Sequence, residues 1–106
     1  MSYRYMRLIL FFDLPRETAK ERKVAADFRK RLVKEGFLML QESVYCKLTL
    51  NMTGMKLLKE RIGKFMPRKG SVMMLTVTEK QFGDMDICCG ERRSEVEDSD
   101  KNLIII

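Results

Sequence analysis

Residues 8–18 read LILFFDLPRET, and the way this run divides sets the rest of the chain in order. Leu8 to Phe12 are apolar at every position rather than at alternate ones, the pattern of a strand covered on both faces. Leu14 precedes Pro15, and a residue before proline is held in extended backbone, so the strand runs from Tyr5 to Leu14 and cannot continue as helix. Thr18-Ala19-Lys20-Glu21 then has the spacing of a capping box, in which threonine accepts from an early amide and glutamate reaches back. A helix follows to about Glu35. Its apolar stripe is Ala25, Phe28 and Leu32, with Lys20, Lys23, Asp27, Lys30 and Lys34 on the other side, and Gly36 stops it.

Working outward, Phe37–Gln41 and Ser43–Leu50 read as two strands. The second alternates Val44, Cys46, Leu48 and Leu50 with Ser43, Tyr45, Lys47 and Thr49. A second helix from about Thr53 to Met66 carries Met55, Leu58, Ile62 and Phe65 at helical spacing. Pro67-Arg68-Lys69-Gly70 is a turn, Ser71–Thr78 a strand, and Met85–Cys89 a short further strand. The succession β-α-β-β-α-β predicts an α+β fold on the ferredoxin-like plan, with an additional short C-terminal strand. Residues 1–90 form the domain. Residues 91–106 form a polar linker and a hydrophobic tail, Leu103-Ile104-Ile105-Ile106, suited either to its own sheet or dimer or to adding a strand to a different protein.

Two helices cover one face of such a sheet. Yet Met6, Leu8, Leu10 and Phe12 point one way while Ile9 and Phe11 point the other, and Met73, Leu75 and Val77 repeat the conflict against Val72 and Met74. An apolar sheet face left over marks an interface, and a two-fold homodimer is the commonest closed assembly. If the parity of Phe12 faces the helices, Asp13 lies on the interface side, where two-fold symmetry would bring two copies together.

Composition narrows the chemistry. The 106 residues are 45% hydrophobic and 34% charged, with a net charge of +6, which favours a polyanionic partner. No run approaches the ~20 apolar residues of a membrane span, and no secretory signal is evident, so a cytoplasmic protein is expected. Cys46, Cys88 and Cys89 lack a zinc-ligand spacing and read as small buried hydrophobes. There is no histidine, which removes the commonest general base and leaves carboxylates and a hard metal ion as tools. Asp13 admits two readings: a strand-end turn residue bonded to its own backbone, or a metal ligand. Mg²⁺ takes one or two carboxylates and completes its octahedron with waters and phosphate oxygens, a need that two symmetry-related Asp13 side chains would meet. Arg16, Lys20, Arg22 and Lys23 follow the aspartate, and Arg68-Lys69 occupy a turn. Such charges read either as solvated faces or as a track for a phosphate backbone.

The strand ending in Phe12-Asp13, Arg22-Lys23-Val24 on the first helix, Gly36 closing it, and Gln41-Glu42-Ser43-Val44-Tyr45 together resemble the CRISPR-associated protein 2 family, from about Met6 to Met85. The family is the small subunit of CRISPR adaptation, also described as an endoribonuclease. The resemblance implies a ferredoxin-like homodimer with Asp13 from each copy holding one Mg²⁺ at the two-fold for phosphodiester hydrolysis. It also implies double-stranded spacer-precursor DNA lying on the basic surface, and a dimer that bridges two CRISPR integrase subunits. Arg16, Lys20, Arg22 and Lys23 fall where the family is basic, and the tail at Leu103, Ile104 and Ile105 would dock on the integrase. Phe12 stands where many members have tyrosine, and Leu14-Pro15 where a polar turn is common. The alternatives are a stand-alone metal-dependent endoribonuclease acting on single-stranded RNA and, further off, an RNA-recognition module, whose aromatic stacking signature the chain lacks.

Overall fold

A computed structural model describes residues 5–90. The elements are β1 (Met6–Asp13), α1 (Ala19–Lys34), β2 (Leu38–Gln41), β3 (Val44–Thr49), α2 (Met52–Gly63), β4 (Ser71–Thr78) and α3 (Glu79–Gly83). The strands make one antiparallel sheet in the order β2-β3-β1-β4. β1 therefore lies between β3 and β4, with Leu10 opposite both Tyr45 and Met74. Its apolar run follows from that central place.

One face of the sheet carries α1 and α2. Leu8, Leu10 and Phe12 meet Ala25, Phe28 and Leu32 of α1 and Met55, Leu58 and Ile62 of α2 in the main core. Phe12 stands edge-on to Phe28 at 5.2 Å and stacks on Tyr45 at 5.7 Å, arrangements that add about 0.5–1.5 kcal/mol each beyond burial. Leu10 is fully buried, so its truncation to alanine costs about 2–5 kcal/mol.

The first helix begins as its sequence dictates. Thr18 accepts from the Glu21 amide at 3.0 Å, and the Glu21 carboxylate takes the Thr18 amide at 3.1 Å. Gly36 leaves the helix at φ +101°. The second helix is shorter than its periodicity predicts. It ends at Gly63, and Phe65 packs on the core from the following turn, because Pro67 pushes Met66 out of helical backbone.

Three expectations are corrected. Residues 85–89 form no strand; the chain instead turns into α3 straight after β4. Thr78 and Gln81 make a second capping box, and the helix lays Phe82 on the far face of the sheet against Ile9 and Cys46. That face is therefore partly covered rather than bare. In β3 the alternation works in the opposite sense to its hydropathy: Tyr45 enters the helix-side core, Cys46 lies under α3, and Leu48 is 40% exposed. The reason is register, since Tyr45 pairs with Leu10 and Leu48 with Arg7. Finally, Cys46 is buried as expected, but Cys88 and Cys89 are exposed, lying after α3 in a stretch with no helix or strand. The tail at 91–106, with Leu103, Ile104 and Ile105, lies outside the described residues. Among the described residues no helix is long and apolar enough to cross a membrane.

Candidate functional site

Asp13 closes β1 on the parity of Ile9 and Phe11, the side away from α1 and α2. Its carboxylate is exposed and takes part in no ion pair among the described residues. Two neighbouring turns fix the backbone beneath it. The Phe12 amide donates to the Ser43 carbonyl at 3.1 Å, so the β2–β3 turn extends the ladder by one bond. On the other side Asp13 pairs with Ser71, and Gly70 passes so near that an added Cβ would stand 2.6 Å from the Asp13 carbonyl oxygen. Ser43 (φ +72°) and Gly70 (φ +93°) both take left-handed backbone to do this. Neither residue stood out as a site residue in the sequence. Gly70, after Pro67-Arg68-Lys69, carried a turn signal; Ser43 carried none.

Among the described residues no group of three or more His, Cys, Asp or Glu side chains is gathered where a metal could sit. The chain thus offers the Asp13 carboxylate, in no ion pair among the described residues, at this end of the sheet. That donor fits a hard cation such as Mg²⁺, which needs few protein ligands, provided the second comes from elsewhere.

The basic residues divide into two sets. Arg22 is occupied locally, donating through Nη1 to the carbonyls of Arg16 and Glu17 at 3.1 Å each, and Lys23 pairs with Asp27 at 3.4 Å. Arg16, Lys20, Arg68 and Lys69 are exposed and in no ion pair among the described residues. Lys20, Arg68 and Lys69 are brought together around one groove beside Leu14 and Pro15. The turn that carries Arg68 and Lys69 passes close to the backbone of Asp13 at Gly70, so these cations and the end of β1 are neighbours along the chain's fold.

Beside Asp13 the far face of the sheet keeps an uncovered apolar region. Met73 is 63% and Leu75 51% exposed, next to half-buried Phe11. Farther along β1, α3 is held by a buried cation. Arg7 donates through Nε to Glu79 Oε1 at 2.9 Å and pairs with Oε2, while its guanidinium lies 4.2 Å from the Phe82 ring centre. Burial alone would lower the Arg7 pKa, but the hydrogen bond and charge of Glu79 outweigh it and hold the value above normal.

Comparison with known proteins identifies the family of the chain. The family model of CRISPR associated protein Cas2 matches residues 6–85, from the first residue of β1 to just beyond α3. The CRISPR-associated endoribonuclease Cas2 of Ligilactobacillus salivarius is 45% identical over 101 residues, 95% of this chain and 100% of the relative. The proteins of the same name from Streptococcus mutans and Treponema denticola are each 46% identical over 101 residues, 95% of this chain and 93% and 100% of theirs. A solved structure, described as the crystal structure of cas2, matches with TM-score 0.58 over 90% of this chain and 98% of that one, at 21% identity, a likeness of fold. Since the family match takes in every strand and helix described above, the chain belongs to the CRISPR associated protein Cas2 family.

Proposed function

We propose that the protein works as a homodimer that grips a phosphodiester backbone and, with a divalent metal, hydrolyses it. The observation that carries this reading is the exposed, unpaired Asp13 at the rim of the exposed apolar patch of Phe11, Met73 and Leu75. Joining two copies through that patch removes apolar surface from water and sets the two carboxylates near the axis. Two carboxylates this close repel each other, and a cation between them relieves that repulsion. Bound Mg²⁺ would polarise a phosphoryl oxygen and acidify a water. The chain's own residues do the remainder: Ser43 and Gly70 hold the strand end still, and Arg16, Lys20, Arg68 and Lys69 hold phosphates. Arg22 and Lys23, expected in the same track, contribute through the loop and helix they brace. The relatives' name, CRISPR-associated endoribonuclease, supports RNA cleavage as the reaction.

In the cell the same dimer serves as the adaptation subunit, laying double-stranded spacer-precursor DNA across its basic corner and bridging integrase subunits, with Leu103, Ile104 and Ile105 as the docking strand. The second reading is a stand-alone metal-dependent endoribonuclease acting on single-stranded RNA, of which the relatives' name supports the endoribonuclease part alone. One set of variants separates the parts. Asp13→Asn should lower Mg²⁺-dependent RNA cleavage by about 100-fold or more, the scale of losing a charge-stabilising group, and leave duplex DNA affinity within about twofold. Arg16→Glu with Lys20→Glu should weaken duplex binding by about tenfold or more. Full-rate cleavage by Asp13→Asn would remove the metal site, and unchanged binding after the double reversal would remove the assigned surface.

A further inference from the structure

Helix α1 uses two faces. Ala25, Phe28 and Leu32 turn to the sheet, whereas Lys20, Val24, Asp27 and Arg31, at spacings of three and four, line a groove of about 680 Å³. From Lys20 to Arg31 the groove follows the helix for about 17 Å, or three turns. Leu14, Pro15, Phe28, Phe65, Met66 and Pro67 supply the rest of its apolar lining. Val24 is 43% exposed within it. Around this apolar bed stand Lys20, Arg31, Arg68 and Lys69. Two acids also line it, but both are engaged: Glu21 accepts the amides of Glu17 and Thr18, and Asp27 pairs with Lys23. None of the four cations is in an ion pair among the described residues.

We propose that this groove docks an amphipathic helix of a partner protein, with apolar anchors along one side and carboxylates beside them. Charge complementarity requires an acidic occupant. The length matches a helix presenting residues at i, i+4, i+7 and i+11. Arginine, methionine and aromatic side chains are also the groups enriched at protein interfaces. A nucleotide fits less well. The only uncharged polar side chain of the lining is Thr18, whose hydroxyl already accepts the Glu21 amide, so base edges would find a single hydroxyl as their neutral side-chain partner. The Phe65 ring is covered by Arg31, 4.6 Å from its centre. Lys20, Arg68 and Lys69 border both this groove and the phosphate surface proposed above; Val24 and Arg31 belong to the groove alone.

The test uses the full chain and three fluorescent peptides read by anisotropy. One is a helical leucine–glutamate peptide with leucines at i, i+4, i+7 and i+11; one has the same leucines with lysine for glutamate; one has the same composition as the first with the leucines scrambled. The first should bind at least about tenfold more tightly than the other two. Val24→Glu and Arg31→Glu should each weaken it about tenfold, with Val24→Ser and Arg31→Gln giving smaller losses and all four remaining folded by circular dichroism. Duplex oligonucleotide binding by these variants should stay at the wild-type level, which keeps this result separate from the phosphate-binding reading. Indistinguishable peptides, wild-type peptide binding by Val24→Glu, or loss of single-stranded oligonucleotide binding in its place would overturn the proposal.

Discussion

At Gly70 an added Cβ would stand 2.6 Å from the Asp13 carbonyl oxygen and 2.9 Å from Leu14 Cδ2, with the backbone at φ +93°. Alanine there meets both a clash with fixed backbone and an unfavourable left-handed conformation. Gly70→Ala should therefore lower stability by about 2–3 kcal/mol, read as a shift of the urea midpoint without a change of slope. Gly63, at the end of α2, has no left-handed backbone, and a methyl group added there would meet nothing within 4 Å. Gly63→Ala should therefore raise stability by up to about 1 kcal/mol. Equal effects at the two positions would contradict this account of the strand end. Asp13 itself was legible because a charge abruptly closes an unbroken apolar run. Ser43 was not: serine has no preference for φ +72°, which belongs to the tight turn of Glu42 and Ser43 between the paired Gln41 and Val44.

Helix α3 was missed although its start obeys the same grammar as that of α1. Thr78-Glu79-Lys80-Gln81 is a capping box, as Thr18-Ala19-Lys20-Glu21 is. A helix of five residues makes too little of a turn pattern for periodicity to register, so its existence depends on what it touches. What it touches is Arg7, a charge inside the otherwise apolar strand β1, which Glu79 and Phe82 meet. Removing Glu79 leaves a buried cation unpaired, so Glu79→Ala should cost about 3–5 kcal/mol, while Arg7→Met with Glu79→Leu should recover most of that. Chemical denaturation of the three proteins checks both, and a Glu79→Ala variant as stable as wild type would mean that α3 contributes little. The pKa of Arg7 is raised, so its linked stabilisation is fully present below the unfolded-state value and lost only as pH climbs through the folded one. Between about pH 5 and pH 9 the guanidinium stays charged in both states, so its own titration should add no slope to stability. The two main helices and the four strands were readable because each has a clear period, a turn or a cap; the element joining them to the far face was not, because its signal is a contact distant in sequence.

For the whole molecule, the net charge of +6 and the groove cations Lys20, Arg68 and Lys69 lead us to predict, on the proposed function, duplex binding that falls steeply with salt. The log–log slope should fall by about 0.9 for each phosphate contact removed on neutralising one of these cations, whereas Asp13→Asn should leave it unchanged. The exposed Met73 and Leu75 should hold two chains together in solution, giving a sedimentation mass of twice 12.5 kDa. Met73→Glu with Leu75→Glu should return the mass of one chain. The central claim is that two copies complete one metal site with a carboxylate from each. Titration with Mn²⁺ followed by electron paramagnetic resonance tests it most directly. The account requires one tightly held ion for every two chains, and its loss in Asp13→Asn; one ion for each chain, or binding that survives the substitution, would contradict it.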